Sequence, residues 1–98
     1  SGKLLSLLAD TIILLDETAR ANAIKGVAGM RSYIFWVDAV ANSGESVQST
    51  LYHKVLYKIT TDPQELSILE QALASNGLTD KLEELENDYN QDIINENI

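Results

Sequence analysis

The chain has no cysteine, and only one proline, one histidine, one methionine and one tryptophan among 98 residues. The missing cysteines exclude a disulfide framework, a zinc finger, a thiolate-held cluster and thiol catalysis together. One histidine and one methionine leave little to hold a metal or a haem. A single proline and five glycines exclude collagen-like and proline-rich classes. Long apolar runs are also missing: the longest candidate, residues 4–15, is interrupted by Ser6, Asp10 and Thr11, whereas a membrane span needs about 20 apolar residues. The same run lacks the basic flank and small-residue cleavage site of a secretory leader.

Positive charge is scarce. Seven Lys and Arg face 15 Asp and Glu, for a net charge of −8 and a pI near 4.3. Phosphate backbones and anionic membranes repel such a chain, so neither nucleic acid nor membrane is an expected direct partner. The acidity sits at one end. Residues 80–98 hold seven acids against Lys81, a net of −6, while residues 1–79 hold eight acids and six bases, a net of −2.

What is present is ordinary for a folded domain: 45% apolar and 22% charged residues. The length fits one domain, which buries about two-thirds of its unfolded surface. Ser1-Gly2 in place of an initiator Met reads as the remnant of a cleaved tag, and about 92–98 is expected to fray. A cytoplasmic protein is the expectation.

The punctuation marks helices. Gly26 and Gly29 follow a long periodic run, Asn42-Ser43-Gly44 forms a turn cluster, Asp62-Pro63 starts a helix and Asn76-Gly77 stops one. Apolar residues between these marks recur with helical spacing. The fold class expected is all-α, a single domain over 1–98 built as a compact bundle of four to five helices with short loops. Gly26 and Gly29 mark either a break between the first two helices or a close backbone approach within one bent helix. Their Gly-x-x-Gly spacing lacks the strands and basic cluster that a nucleic-acid clamp needs.

Projection at about 100° per residue gives the faces. In helix 1, about 3–24, Leu4, Leu5, Leu8, Ile12, Leu15 and Ala19 form a core arc. Leu7, Leu14 and Ala21 form a second seam on the far side, so this helix is either sandwiched within its own bundle or meets another chain. Helix 2, about 27–42, turns Val27, Met30, Tyr33, Ile34, Val37, Val40 and Ala41 inward, which leaves Phe35 outside. Helix 3, about 45–60, points Val47, Leu51, Tyr52, Val55, Leu56 and Ile59 in and Ser49, Thr50, His53, Lys54 and Tyr57 out. Helix 4 begins with Asp62 as N-cap, Pro63 at the first position and Glu65 at the third. Helix 5, from Thr79 or Asp80, carries the stripe Leu82, Leu85, Tyr89 and Ile93 among acids.

No constellation carries chemistry. Glu45, Ser49 and His53 share one side of helix 3, but the serine lies between the other two and mid-helix N–H groups offer no oxyanion hole. Asp88-x-Asn90-x-Asp92 opens like a calcium loop and then places Ile93 where the sharp turn needs Gly. No catalytic residue, metal or cofactor is expected. His53, Lys54 and Lys58 form a basic cluster that suits the acidic helix 5, a neighbour's acidic tail or an anionic partner.

The function expected is therefore a non-catalytic protein–protein interaction module, an adaptor, regulator or inhibitor, whose partner is a protein and plausibly a second copy in a homo-oligomer. Leu7, Leu14, Phe35, His53, Tyr57, Glu83 and Glu86 are the candidate partner-binding residues. Two alternatives stand beside it. One is an acidic nucleic-acid mimic of phage or viral type that inhibits by filling a basic groove with its C-terminal helix; the other is a structural subunit of a larger assembly.

Overall fold

In α1, Gly2–Ala21, the residues Leu8, Ile12, Leu15 and Ala19 recur at three- and four-residue spacing and are all buried. That stripe organises the chain. The computed structural model describes the backbone of residues 2–96 and the side chains of residues 2–88. Over that range the protein is all-α, with five helices and no strand. α2 is Met30–Asn42, α4 is Pro63–Ser75 and α5 is Leu78–Glu96. α3 is a continuous rod in three stretches: α-helical Val47–Leu51, a π turn over Tyr52–Leu56, and a last α-helical piece Tyr57–Ile59. α1 packs against α2, α4 and α5, α2 against α3, and α5 against α3 and α4. The expected fraying from about residue 92 concerns the end of α5, whose side chains lie outside the described residues.

The core that results is contiguous: Leu8, Leu15, Trp36, Val55, Leu56 and Leu69 are fully enclosed. Each such side chain contributes roughly 1.5–3 kcal/mol of burial. The π turn has a geometric cause. On a regular helix the inward residues Val47, Leu51, Val55 and Ile59 drift around the axis by about 40° at each four-residue step, about 120° in all, and Leu56 falls further round still. A wider turn, in which the Tyr57 N–H donates to the Tyr52 carbonyl, takes up that drift and keeps the whole set on the core.

The helix ends explain the connections. α4 opens as the sequence suggests: Asp62 Oδ2 accepts from the Glu65 N–H at 3.0 Å, and Glu65 Oε1 accepts from the Thr60 hydroxyl at 2.6 Å. Gly77, at φ +74°, then turns the chain into α5 in a conformation that favours glycine, and Leu78 is buried beside it.

α1 stops at Ala21, short of the expected Ile24. Ile24 N–H donates to the Ala19 carbonyl at 2.9 Å and Ala23 N–H to the Arg20 carbonyl at 3.4 Å, with Ala23 at φ 56°. This is a Schellman ending with alanine where glycine usually sits, and Ile24 and Ala19 are both buried across it. The first two helices are separate. Gly26, in the connecting segment, lies so close to the end of α3 that a Cβ there would meet the Ile59 carbonyl oxygen at 1.9 Å.

α2 turns a different face inward than expected. Trp36 and Ala39 are its buried residues, whereas Met30 and Ile34 are exposed, as is Val27 just before the helix. The helix is rotated by about one residue's angular step, 100°. The indole supplies the reason: Trp36 is wholly enclosed and its Nε1–H donates to Thr50 Oγ1 at 3.0 Å, so both its area and its polar atom are satisfied only in this orientation. Thr50, expected to point outward, is buried by the same contact. Leu5, expected in the core arc of α1, is exposed.

Candidate functional site

Rotating α2 to bury Trp36 leaves Met30 and Ile34 without cover, and other apolar side chains nearby in the sequence and on α1 are exposed as well. Met30 is 72% exposed, Val27 68%, and Ile34, Phe35 and Ile13 of α1 are each 55%. They lie on two sides of α2. Met30 and Tyr33 face α1 across an open groove of about 620 Å³, whose other wall is Ala9, Ile13, Asp16 and Arg20. Within that wall Arg20 Nε is 3.1 Å from Asp16 Oδ2. Phe35 faces the other way, into a groove of about 440 Å³ shared with Asp38, Asn42, Lys54 and Lys58. Asp38 Oδ1 there accepts from Asn42 Nδ2 at 2.8 Å.

The candidate binding residues fall into three groups. Leu7 is buried and Leu14 is half-buried against the core, so the second seam of α1 is largely consumed by the chain's own packing; only Ala21 of that seam is exposed. Phe35, His53, Tyr57 and Glu83 are exposed. His53 and Tyr57 meet edge to face with centroids 6.0 Å apart, and Tyr57 also lies 5.6 Å from Tyr52. Glu86 is half-buried and occupied: its two carboxylate oxygens accept from the Val47 N–H at 2.8 and 3.0 Å. A carboxylate at the first turn of α3 is where the helix dipole favours negative charge. It holds α5 to α3 and is not a free member of an outward ladder; among the described residues, Asp80, Glu83, Glu84 and Asp88 are the exposed acids of α5.

The structure does not join the basic cluster to α5. Among the described residues no ion pair involves His53, Lys54 or Lys58, and the single ion pair is that of Arg20 with Asp16. Lys54 and Lys58 instead flank Phe35.

Ile13, Val27, Met30 and Ile34 are absent from the sequence-derived set. The signal that identifies Met30 and Ile34 is Trp36. A lone tryptophan carries the largest burial area in the chain, and placing it at the centre of the α2 face turns Met30 and Ile34 outward.

Reactive geometry is sparse. Among the described residues neither Glu45 nor Ser49 is hydrogen-bonded through its side chain to His53, and Ser49 instead donates its N–H to Ser46 Oγ at 2.9 Å. No group of three or more His, Asp or Glu side chains is placed to hold a metal ion among these residues. Every buried side-chain polar atom among them has a partner. One titrating group is displaced: the Tyr52 hydroxyl donates to Glu70 Oε2, and this bond, with partial burial and the carboxylate charge, pushes the phenol up to about 12. A neutral phenol so held is a strut between α3 and α4. No described helix is long and apolar enough to cross a membrane.

Comparison with protein-family models, with curated proteins and with solved structures finds no match.

Proposed function

We infer that this chain is a non-catalytic protein-interaction module that docks a partner on the exposed face formed by α2 and the α1–α2 groove. The observation that carries this reading is the exposure of Val27, Met30 and Ile34, each more than half exposed, with Met30 facing Ile13 across the groove. Burying one such side chain at an interface releases roughly 1.5–3 kcal/mol before association costs. Apolar patches of this kind on a small domain mark interaction sites. A cytoplasmic adaptor, regulator or inhibitor fits this reading.

Paired affinity capture from the source cells tests it, with wild type against the double variant Met30→Asp/Ile34→Asp. Both side chains are exposed, so the variant keeps its fold, as circular dichroism would verify. Loss of specific captured proteins supports the module; an unchanged capture profile contradicts it. Self-association is a separate clause. Sedimentation equilibrium at high micromolar concentration reads it, and a strict monomer removes the second copy from the list of partners.

Acidic mimicry is the second reading, favoured by Asp80, Glu83, Glu84 and Asp88, all exposed on α5. It predicts binding that weakens steeply with salt and depends on α5, whereas docking on α2 predicts a shallow salt dependence.

A further inference from the structure

The outward face of α2 is apolar along its centre and oppositely charged toward its two ends. Trp36 and Ala39 are the buried residues of this helix, and Ile34 lies about 170° round from them, facing directly away from the core. Met30 and Ala41 fall within about 40° of Ile34, and all three are exposed. With half-buried Val37 they recur at spacings of four, three and four residues. That is the a and d seam of a helix that pairs with another helix. A solitary copy turns this seam straight at water.

The charges flank the seam on one side. Arg31 and Asp38 lie about 60° and 40° round from Ile34, at the two e positions. They stand about 10 Å apart along the axis, and among the described residues no ion pair involves either. Both are exposed. Asp38 accepts from Asn42 Nδ2 through one oxygen, and it shares the Phe35 groove with Lys54 and Lys58 without pairing to them. The opposite flank consists of Tyr33 and Val40, which pack on the chain's own core. A cation near the start of the strip and an anion near its end make it its own complement when turned end for end. An antiparallel copy sets e against e, which brings each Arg31 to the partner's Asp38. A parallel copy sets e against g, and the g positions are Tyr33 and Val40.

We propose that the partner docked on α2 is a second copy of this chain, bound by an antiparallel α2–α2 contact about a two-fold axis near Ile34. Ile34 packs beside the partner's Val37, Met30 beside the partner's Ala41, and Arg31 pairs with the partner's Asp38. Each contact occurs twice, as in any isologous interface. This rests on the reading of the chain as an interaction module and names its partner. α2 has 13 residues, about 20 Å of helix, so the contact stands at the low end of specific interface sizes and the dimer is weak. A uniformly acidic or basic partner helix suits only one end of this charge order. An anionic membrane suits Arg31 and meets Asp38 as like charge.

The test is sedimentation equilibrium of the full chain and of two charge-reversed variants, Arg31→Glu and Asp38→Lys. Both positions are exposed, and circular dichroism verifies that the variants fold. Wild type is expected to dimerise at high micromolar concentration. Each variant alone sets like charges together twice and is expected to dimerise at least about tenfold more weakly. An equimolar mixture of the two makes every facing pair opposite in sign again, and is expected to recover association close to that of wild type. The double variant Met30→Asp/Ile34→Asp is expected to be monomeric. A monomeric wild type overturns the proposal while leaving the module reading intact, with another protein as the partner. A dimer that survives both reversals, or survives the loss of Met30 and Ile34, overturns it by placing the contact on another face. A mixture no stronger than the separate variants overturns the antiparallel pairing. The module reading itself falls on a different result, capture that is indifferent to Met30 and Ile34.

Discussion

The indole Nε1–H of Trp36 donates to Oγ1 of Thr50 at 3.0 Å, with both residues fully enclosed. Thr50 Oγ1 in turn donates to the Val47 carbonyl at 2.8 Å. This contact fixes how α2 sits on α3, and so decides which apolar side chains of α2 are left outside. Replacing Thr50 with valine keeps the shape and strands a buried N–H. The expected loss is about 1–3 kcal/mol in urea unfolding, while Thr50→Ser, which retains the hydroxyl, loses less than Thr50→Val.

Gly26 and Gly29 separate cleanly. At Gly26 a Cβ would lie 2.4 Å from the Ile59 Cα and nearer still to its carbonyl oxygen, all backbone atoms that cannot step aside cheaply. At Gly29 a Cβ meets nothing within 4 Å, and φ is an extended −149° that any residue adopts. Gly26→Ala is expected to lower the thermal midpoint by several degrees, a loss of about 2 kcal/mol or more. Gly29→Ala stays within about 0.5 kcal/mol of wild type.

Ala23 holds the left-handed position that ends α1, at φ 56°. Alanine there costs about 1–2 kcal/mol that glycine avoids, against a chain-entropy cost of about 0.5–1 kcal/mol for glycine. Ala23→Gly is therefore expected to stabilise the chain by up to about 1 kcal/mol, read as a raised urea midpoint with an unchanged m-value.

Glu86 and Glu83 are close on α5, yet only Glu86 reaches the first N–H of α3. Glu86→Ala is expected to cost about 1–2 kcal/mol in chemical denaturation, the range of a lost helix cap. Glu83→Ala, at an exposed position, should leave stability unchanged within about 0.5 kcal/mol.

Tyr52 gives a pH signature of defined sign. Its folded-state pKa, about 12, stands above the ordinary 10.0 because the hydroxyl donates to Glu70. The neutral phenol is thus the form the fold prefers, so the contribution is fully present below pH 10 and is lost as pH rises from 10 toward 12. Ultraviolet difference titration should show one of the four tyrosines ionising after the others, and Tyr52→Phe should remove that late step. Glu70→Gln should bring it back toward 10.

Those outcomes bear on how much was legible in the sequence. The helix count, the Asp62-Pro63 start, the Gly77 turn and the inward face of α3 follow from strong local signals, since capping residues and three-four spacing act within a few residues. The end of α1 was hidden because alanine occupies the position where glycine normally announces a left-handed turn. The face of α2 was misread because that helix is apolar nearly all round, so periodicity cannot choose a side; a long-range hydrogen bond to Thr50 chooses it. The surface followed the same logic. Phe35, His53, Tyr57 and Glu83 lie outside as read, whereas Leu7 and Glu86 are taken up by contacts with α1's neighbours and with α3. Met30 and Ile34 became surface through the rotation of α2, and Val27 lies exposed in the segment before that helix.

Whether a single copy leaves Met30 and Ile34 open to water is the point on which the rest depends. Solvent paramagnetic relaxation of side-chain methyl groups in the dilute free protein measures it. The structure predicts that the Met30, Ile34 and Val27 methyls relax among the fastest of the described residues, far ahead of Leu8, Leu15 and Leu69. Protection of Met30 and Ile34 equal to that of those core leucines would place α2 in the opposite orientation and remove the docking surface.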